Sequence, residues 1–152
     1  MVLLQIAAGL VYANVTEWLV HKYVLHGLGK KKGSYWSFHW HEHHRASRKH
    51  DMLDESYFLP FWSGSRWKEI LGIVALVAPH SFLFFYIPWF AAALYVYGAF
   101  YLWVHRRSHL DTSWCKKWLP WHRDHHLNKD QDQNWNVVFP LADWLLGTRK
   151  KD

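Results

Sequence analysis

No lysine or arginine occurs in residues 1–21 or 69–105 of this 152-residue chain, although it carries eighteen of them. Nine fall in 22–68 and nine in 106–151. The first cation-free stretch, MVLLQIAAGLVYANVTEWLV, is interrupted mainly by Gln5, Asn14, Thr16 and Glu17; the second carries only Glu69, at its start. A membrane-crossing helix needs about 20 mostly apolar residues. Residues 69–104 number 36, and a single helix of that length would run about 54 Å, against a hydrocarbon core of about 30 Å. Two shorter spans fit better, turning between Pro79 and Pro88, because proline ends helices. The pattern predicts an all-α integral membrane protein of about three transmembrane helices, one near 2–20 and a hairpin near 69–104.

Two crossings between the basic segments return both to one side. The excess of Lys and Arg makes that side cytoplasmic and puts the N-terminus outside. Trp18, Tyr23, Trp67, Trp89 and Trp103 sit where interfacial anchors belong. A soluble bundle with unusually apolar core helices is the competing reading. A cleaved signal peptide is disfavoured by the lack of a positive n-region. The net charge of +6 does not require nucleic acid, since Lys30 to Lys32 and Arg149 to Lys151 suit anionic lipid headgroups. One cysteine, Cys115, excludes an internal disulfide and reads as a buried, inert thiol. The length fits one domain over 1–152, without repeat or linker.

Thirteen residues are histidine, and ten of them form four clusters within or beside the basic segments. These are His21 and His26 (HKYVLH); His39, His43 and His44 (HWHEHH); His105 and His109 (HRRSH); and His122, His125 and His126 (HRDHH). They predict a histidine-rich helical cap on the cytoplasmic side. Residues three and four apart share a helix face, so His39 with His43, His105 with His109, and His122 with His125 and His126 can each converge on one point. His21 and His26 are five apart, about 140° on an α-helix. They need a frayed helix end at Gly27 or serve two different metals. Ten imidazoles exceed one four-ligand zinc site. Five to each of two metals would leave a sixth position for oxygen or solvent, as a dinuclear iron site would use. Glu42, Asp124 and Asp111 are candidates to orient an imidazole N–H, against the reading of ordinary surface charges. His41 lies off the shared face, His50 reads as exposed, and His80 falls at the far turn of the hairpin.

HX4H, HX3HH, HX3H and HX2HH around an apolar hairpin resemble the fatty acid hydroxylase/sterol desaturase superfamily, over Glu17 to Thr148. HRDHHLNKDQDQNWNVVFPLADWLLGT is the most specific part, and EWLVHKYVLHG is similar to carotenoid hydroxylases of the same superfamily. The resemblance implies two Fe ions held by the ten histidines, with zinc as an occupant after purification because it binds nitrogen sites more tightly than ferrous iron. It implies O2-dependent hydroxylation of a C–H bond in a fatty acyl, sterol-like or carotenoid lipid, with desaturation as the alternative outcome. No flavin, nicotinamide or haem motif is present, so an external electron donor is implied: a ferredoxin, cytochrome b5 or reductase. The chain is short beside relatives with four spans, which leaves a compact tunnel or help from a second subunit in a homo-oligomer. A non-enzymatic membrane protein for metal storage or transport is the reading from another class. It would need polar ligands at the bilayer midplane, where these spans are nearly bare.

Overall fold

The computed structural model describes residues 1–151, which are helical or irregular, with no strand among them. Helix α1 (Val2–Leu19) runs on without a break into a π-helical segment, Val20–Leu28. Two short segments follow, π-helical His39–His44 and α2 (Arg45–Lys49). Helix α3 (Arg66–Val77) leads through a 3-10 stretch, Ala78–Phe85, to α4 (Pro88–Leu110). Proline lacks an N–H and fixes φ, so Pro79 and Pro88 fall at the second and first positions of the two elements. Helices α5 (Thr112–Trp118), α6 (Pro120–Leu127) and α7 (Leu141–Leu145) complete the chain.

Two helical stretches, Val2–Leu28 and Arg66–Phe85, are long and apolar enough to cross a membrane. The second has none of its apolar window buried inside the protein. Phe82, Phe84 and Phe85 point outward, with Leu71 and Val74. Core helices of a soluble bundle would bury such side chains, so that alternative loses its support. Helix α4, at 23 residues, is long enough by length, but its tyrosines and tryptophans lower its apolarity. It is the central helix, burying Ala91, Ala93, Leu94, Gly98, Tyr101 and Val104. Close approach to both neighbours depends on small residues. A Cβ on Gly9 of α1 would stand 2.8 Å from Ala93 Cβ, and one on Gly98 would stand 3.1 Å from Ile73 of α3.

The polar residues that interrupt α1 hold the irregular segment 128–140. Backbone groups outside helices need partners, and here side chains supply them. Asn14 donates to the Phe139 carbonyl at 2.7 Å and accepts from the Ala142 N–H at 3.0 Å. Buried Glu17 accepts from the Val137 and Val138 N–H groups and from the Tyr97 hydroxyl. Asp143, fully buried in α7, accepts from the N–H groups of Trp135 and Asn136 at 2.9 and 2.8 Å. The C-terminal segment is therefore clamped against α1, and this clamp positions α6 and its histidines. Cys115 is fully buried in the core with Met52, Val104 and Val137, and burial pushes its thiol up to about 12.

Candidate metal centre

The ten clustered histidines are all buried, and the helix type decides how they group. His21, His26, His39, His44 and His125 form one group; His43, His105, His109 and His126 form a second. Within each, the nearest ring nitrogens all lie within 4.8 Å of one another. His122 stands beside the second group, its Nε2 3.1 Å from that of His109. The groups abut, with the His44 and His126 ring centroids 4.2 Å apart.

This grouping corrects several expectations from α-helical spacing. His21 and His26, five apart, meet without a frayed end, because the π-helix bonds i to i+5 and stacks residues at that interval. The same geometry over His39–His44 joins His39 to His44, with Nε2 atoms 3.2 Å apart, and turns His43 into the other group. His39 and His43 thus do not converge on one point. His125 and His126 also separate, one to each group, while His105 and His109 remain together.

Six of the imidazoles direct Nδ1 to an oxygen outside the groups. His21 bonds the Trp135 carbonyl at 2.5 Å, His109 that of Met52 at 2.7 Å and His125 that of Gln133 at 2.6 Å. His43 bonds Asp54 at 2.9 Å, His105 bonds Glu69 at 2.5 Å, and His26 bonds Asp132 at 3.2 Å. A neutral ring that donates from Nδ1 carries a bare lone pair on Nε2. Those Nε2 atoms face the interior of the groups. His44 Nε2 lies 3.1–3.3 Å from the Nε2 of His26, His39 and His125. One proton could satisfy one of these contacts, so the others bring lone pairs together. A cation between them removes that conflict: cis ligands about 2.1 Å from an octahedral ion are about 3.0 Å apart. Nε2 of His43, His105 and His126 has no hydrogen-bond partner, as expected of atoms directed at a metal.

Electrostatics favour the same reading. Burial, then repulsion among neighbouring imidazoles, holds His39, His44, His122 and His126 well below the ordinary histidine value. Burial lowers His125 to about 4 and lowers His43 despite its bond to Asp54. Burial thus favours the neutral form of these six rings, the form that ligates metals. All-nitrogen groups with no inward carboxylate suit zinc, iron, copper or nickel and differ from carboxylate-rich di-iron bundles.

The carboxylates that orient rings are Asp54, Glu69 and Asp132, rather than the expected trio. Glu42 is exposed, Asp111 caps α5 through the Trp114 N–H, and Asp124 pairs with Arg149 at 3.2 Å. Tyr57 was also missed. It stacks on His109 with centroids 5.6 Å apart and donates to Glu69 at 3.0 Å. These partners are 11 to 106 positions from the histidines they serve, so local spacing carries no trace of them. Of the other histidines, His41 bonds the Lys30 carbonyl, His50 is exposed and His80 meets Tyr12 at 3.1 Å.

A cavity of about 280 Å³ opens onto His39, His43 and His105 and is otherwise walled largely by Val24, Leu25, Phe38, Ile73, Leu76 and Tyr101. An adjoining cavity of about 80 Å³ shares Leu25, Ile73, Leu76 and Tyr101 and continues toward His80 between α1, α3 and α4. Buried histidines, some facing one another through bare nitrogens, thus border an apolar chamber.

The chain matches the family model described as fatty acid hydroxylase over residues 6–148. No curated protein and no solved structure matches it.

Proposed function

Since the chain belongs to the fatty acid hydroxylase family, we propose that it is a membrane-embedded enzyme that hydroxylates a C–H bond of a lipid with O2. The observation that carries this reading is the pair of buried histidine groups at the wall of an apolar cavity. His21, His26, His39, His44 and His125 would hold one iron. His43, His105, His109 and His126, with His122, would hold the other. When bound, the irons supply the activation of O2 that an inert C–H bond requires.

The chain's own groups act around that chemistry. Asp54, Glu69 and Asp132 hold His43, His105 and His26 in the tautomer that presents Nε2. Val24, Phe38, Ile73 and Leu76 exclude water and accept an apolar chain from the bilayer. The cavity walls bring that chain against His39, His43 and His105, and so fix which carbon reacts. In the proposed topology α4 is the third span, and the histidine half lies on the cytoplasmic side with the two basic segments.

The test is anaerobic iron loading of the purified protein, followed by isotopically heavy O2, an electron donor and a mixed lipid extract. A lipid that gains one labelled oxygen atom is the expected product. A new double bond without label would identify a desaturase, which shares the first hydrogen abstraction. No change in any lipid would overturn the oxidase reading and leave metal storage or transport.

A further inference from the structure

Hydroxylation places one atom of O2 in the C–H bond and releases the other as water, which consumes two electrons and two protons from outside the lipid. Resting on the hydroxylase reading, the electrons need an entry point. A broad open groove of about 840 Å³ lies away from the apolar cavity and is lined by Lys32, Trp40, Arg45, Arg48 and Lys49 among others. Three cations elsewhere are neutralised within the chain: Lys30 by Asp132 at 2.6 Å, Arg123 by Asp51 at 2.7 Å and Arg149 by Asp124 at 3.2 Å. Among the described residues no carboxylate pairs with Lys32, Arg45, Arg48 or Lys49. The exposed acid of the same stretch, Glu42, does not line the groove.

The floor of the groove reaches the histidines directly. Trp40 is half-buried, stacks on His44 with centroids 5.3 Å apart, and sits edge-on to His26 at 5.0 Å. Arg48 donates to the carbonyls of His126 and Asn128, and Gln131 donates to that of His126. We propose that this groove docks an acidic one-electron carrier protein, with Trp40 as the contact between the docked carrier and the five-histidine group. The carrier docks twice per turnover, giving up one electron each time and leaving oxidised.

A folded acidic protein fits better than a lipid surface. Membrane contact needs apolar anchors, and this groove offers only the tryptophan. Exposed Phe58, Leu59, Phe61 and Trp62 lie elsewhere, on the approach to α3. Opposed charge across such a surface steers association and is weakened by salt.

The probe is a plant-type [2Fe–2S] ferredoxin, an acidic carrier, titrated against the full chain in zwitterionic nanodiscs without lipid substrate. Binding should weaken steeply between about 0.01 M and 0.15 M salt, as the Debye length falls from about 30 to about 8 Å. The double variant Arg45→Glu/Lys49→Glu should raise Kd by about tenfold or more at low salt. Lys116→Glu/Lys117→Glu, the same charge change on exposed α5, should not. Metal content, and turnover with a small chemical reductant, should be unchanged in both. Equal loss in both double variants, or no loss in either, overturns the docking site. If the groove variant instead loses affinity only for vesicles of anionic lipid, the surface is a headgroup site and the proposal fails. Failure of the hydroxylase reading is distinct: no product forms with any donor, whatever the ferredoxin affinity.

Discussion

Asp54 accepts from His43 Nδ1 at 2.9 Å and from the Ser56 N–H at 3.0 Å. Burial alone would push its carboxyl up, but the hydrogen bonds from His43 and Ser56 hold it below the ordinary carboxylate value. Asp54 is therefore ionised at neutral pH, and its charge makes the His43 ring a better donor to metal. Asp54→Asn keeps the shape and removes that charge. Its metal affinity should fall about 10–100-fold, the usual cost of losing such a partner, as read by competition with a chromophoric chelator. His122 poses a separate question, since it stands outside the two groups with Nε2 3.1 Å from that of His109. If it is the tenth ligand, His122→Ala should lower the metal bound per chain by elemental analysis, while His41→Ala should leave it unchanged. Equal metal in both variants would remove His122 from the proposed set. The abundance of histidine and its four clusters were legible in the sequence because spacing is local. Asp54 and Tyr57 were not, since they reach their histidines only through tertiary folding.

At the scale of elements, the π-helical segments decide which histidine joins which group. Their signature was present in the spacing: His21 with His26 and His39 with His44 are both five apart, a poor fit to 3.6 residues per turn and a good one to an i to i+5 ladder. Reading each cluster as α-helix assigned His43 to His39, and the wrong partner followed from the wrong period. Deletion of exposed Glu42 would shorten the His39–His44 interval to four and favour an ordinary α-helix there. The deletion variant should keep its helix content by circular dichroism and lose metal, whereas Glu42→Ala, which keeps the interval, should retain it. Retention of full metal by the deletion variant would mean that the π geometry is incidental. The hairpin of α3 and α4 was easier to read, because proline position and apolar length act within the element itself. The clamp between α1 and the C-terminal segment was not, although Asn14 and Glu17 marked it as polar interruptions in an apolar run.

Across the whole molecule, three crossings would put the N-terminus and the histidine half on opposite sides. The apolar stretch Arg66–Phe85, with none of its apolar window buried, supports one lipid-facing crossing, and two cation-free segments support the placement of the rest. Helix α4 is the least secure by composition, yet α1 and α3 both pack against it. If it did not cross, the hairpin turn before it and α5 after it would lie on the same side of the bilayer. Cysteine labelling can decide this because the native thiol is silent: Cys115 is fully buried and its pKa lies at about 12, so neutral maleimide should not react with it in the folded protein. Ser113→Cys, exposed at the start of α5, and Tyr86→Cys, exposed at the hairpin turn, then report separately. In sealed right-side-out vesicles a membrane-impermeant maleimide should label Tyr86→Cys and spare Ser113→Cys, and inverted vesicles should reverse the pattern. Labelling of both from one face would remove α4 as a span, since the turn and α5 would then share a compartment. The reverse pattern would retain three crossings and invert the orientation, placing the docking groove and the basic segments outside the cell.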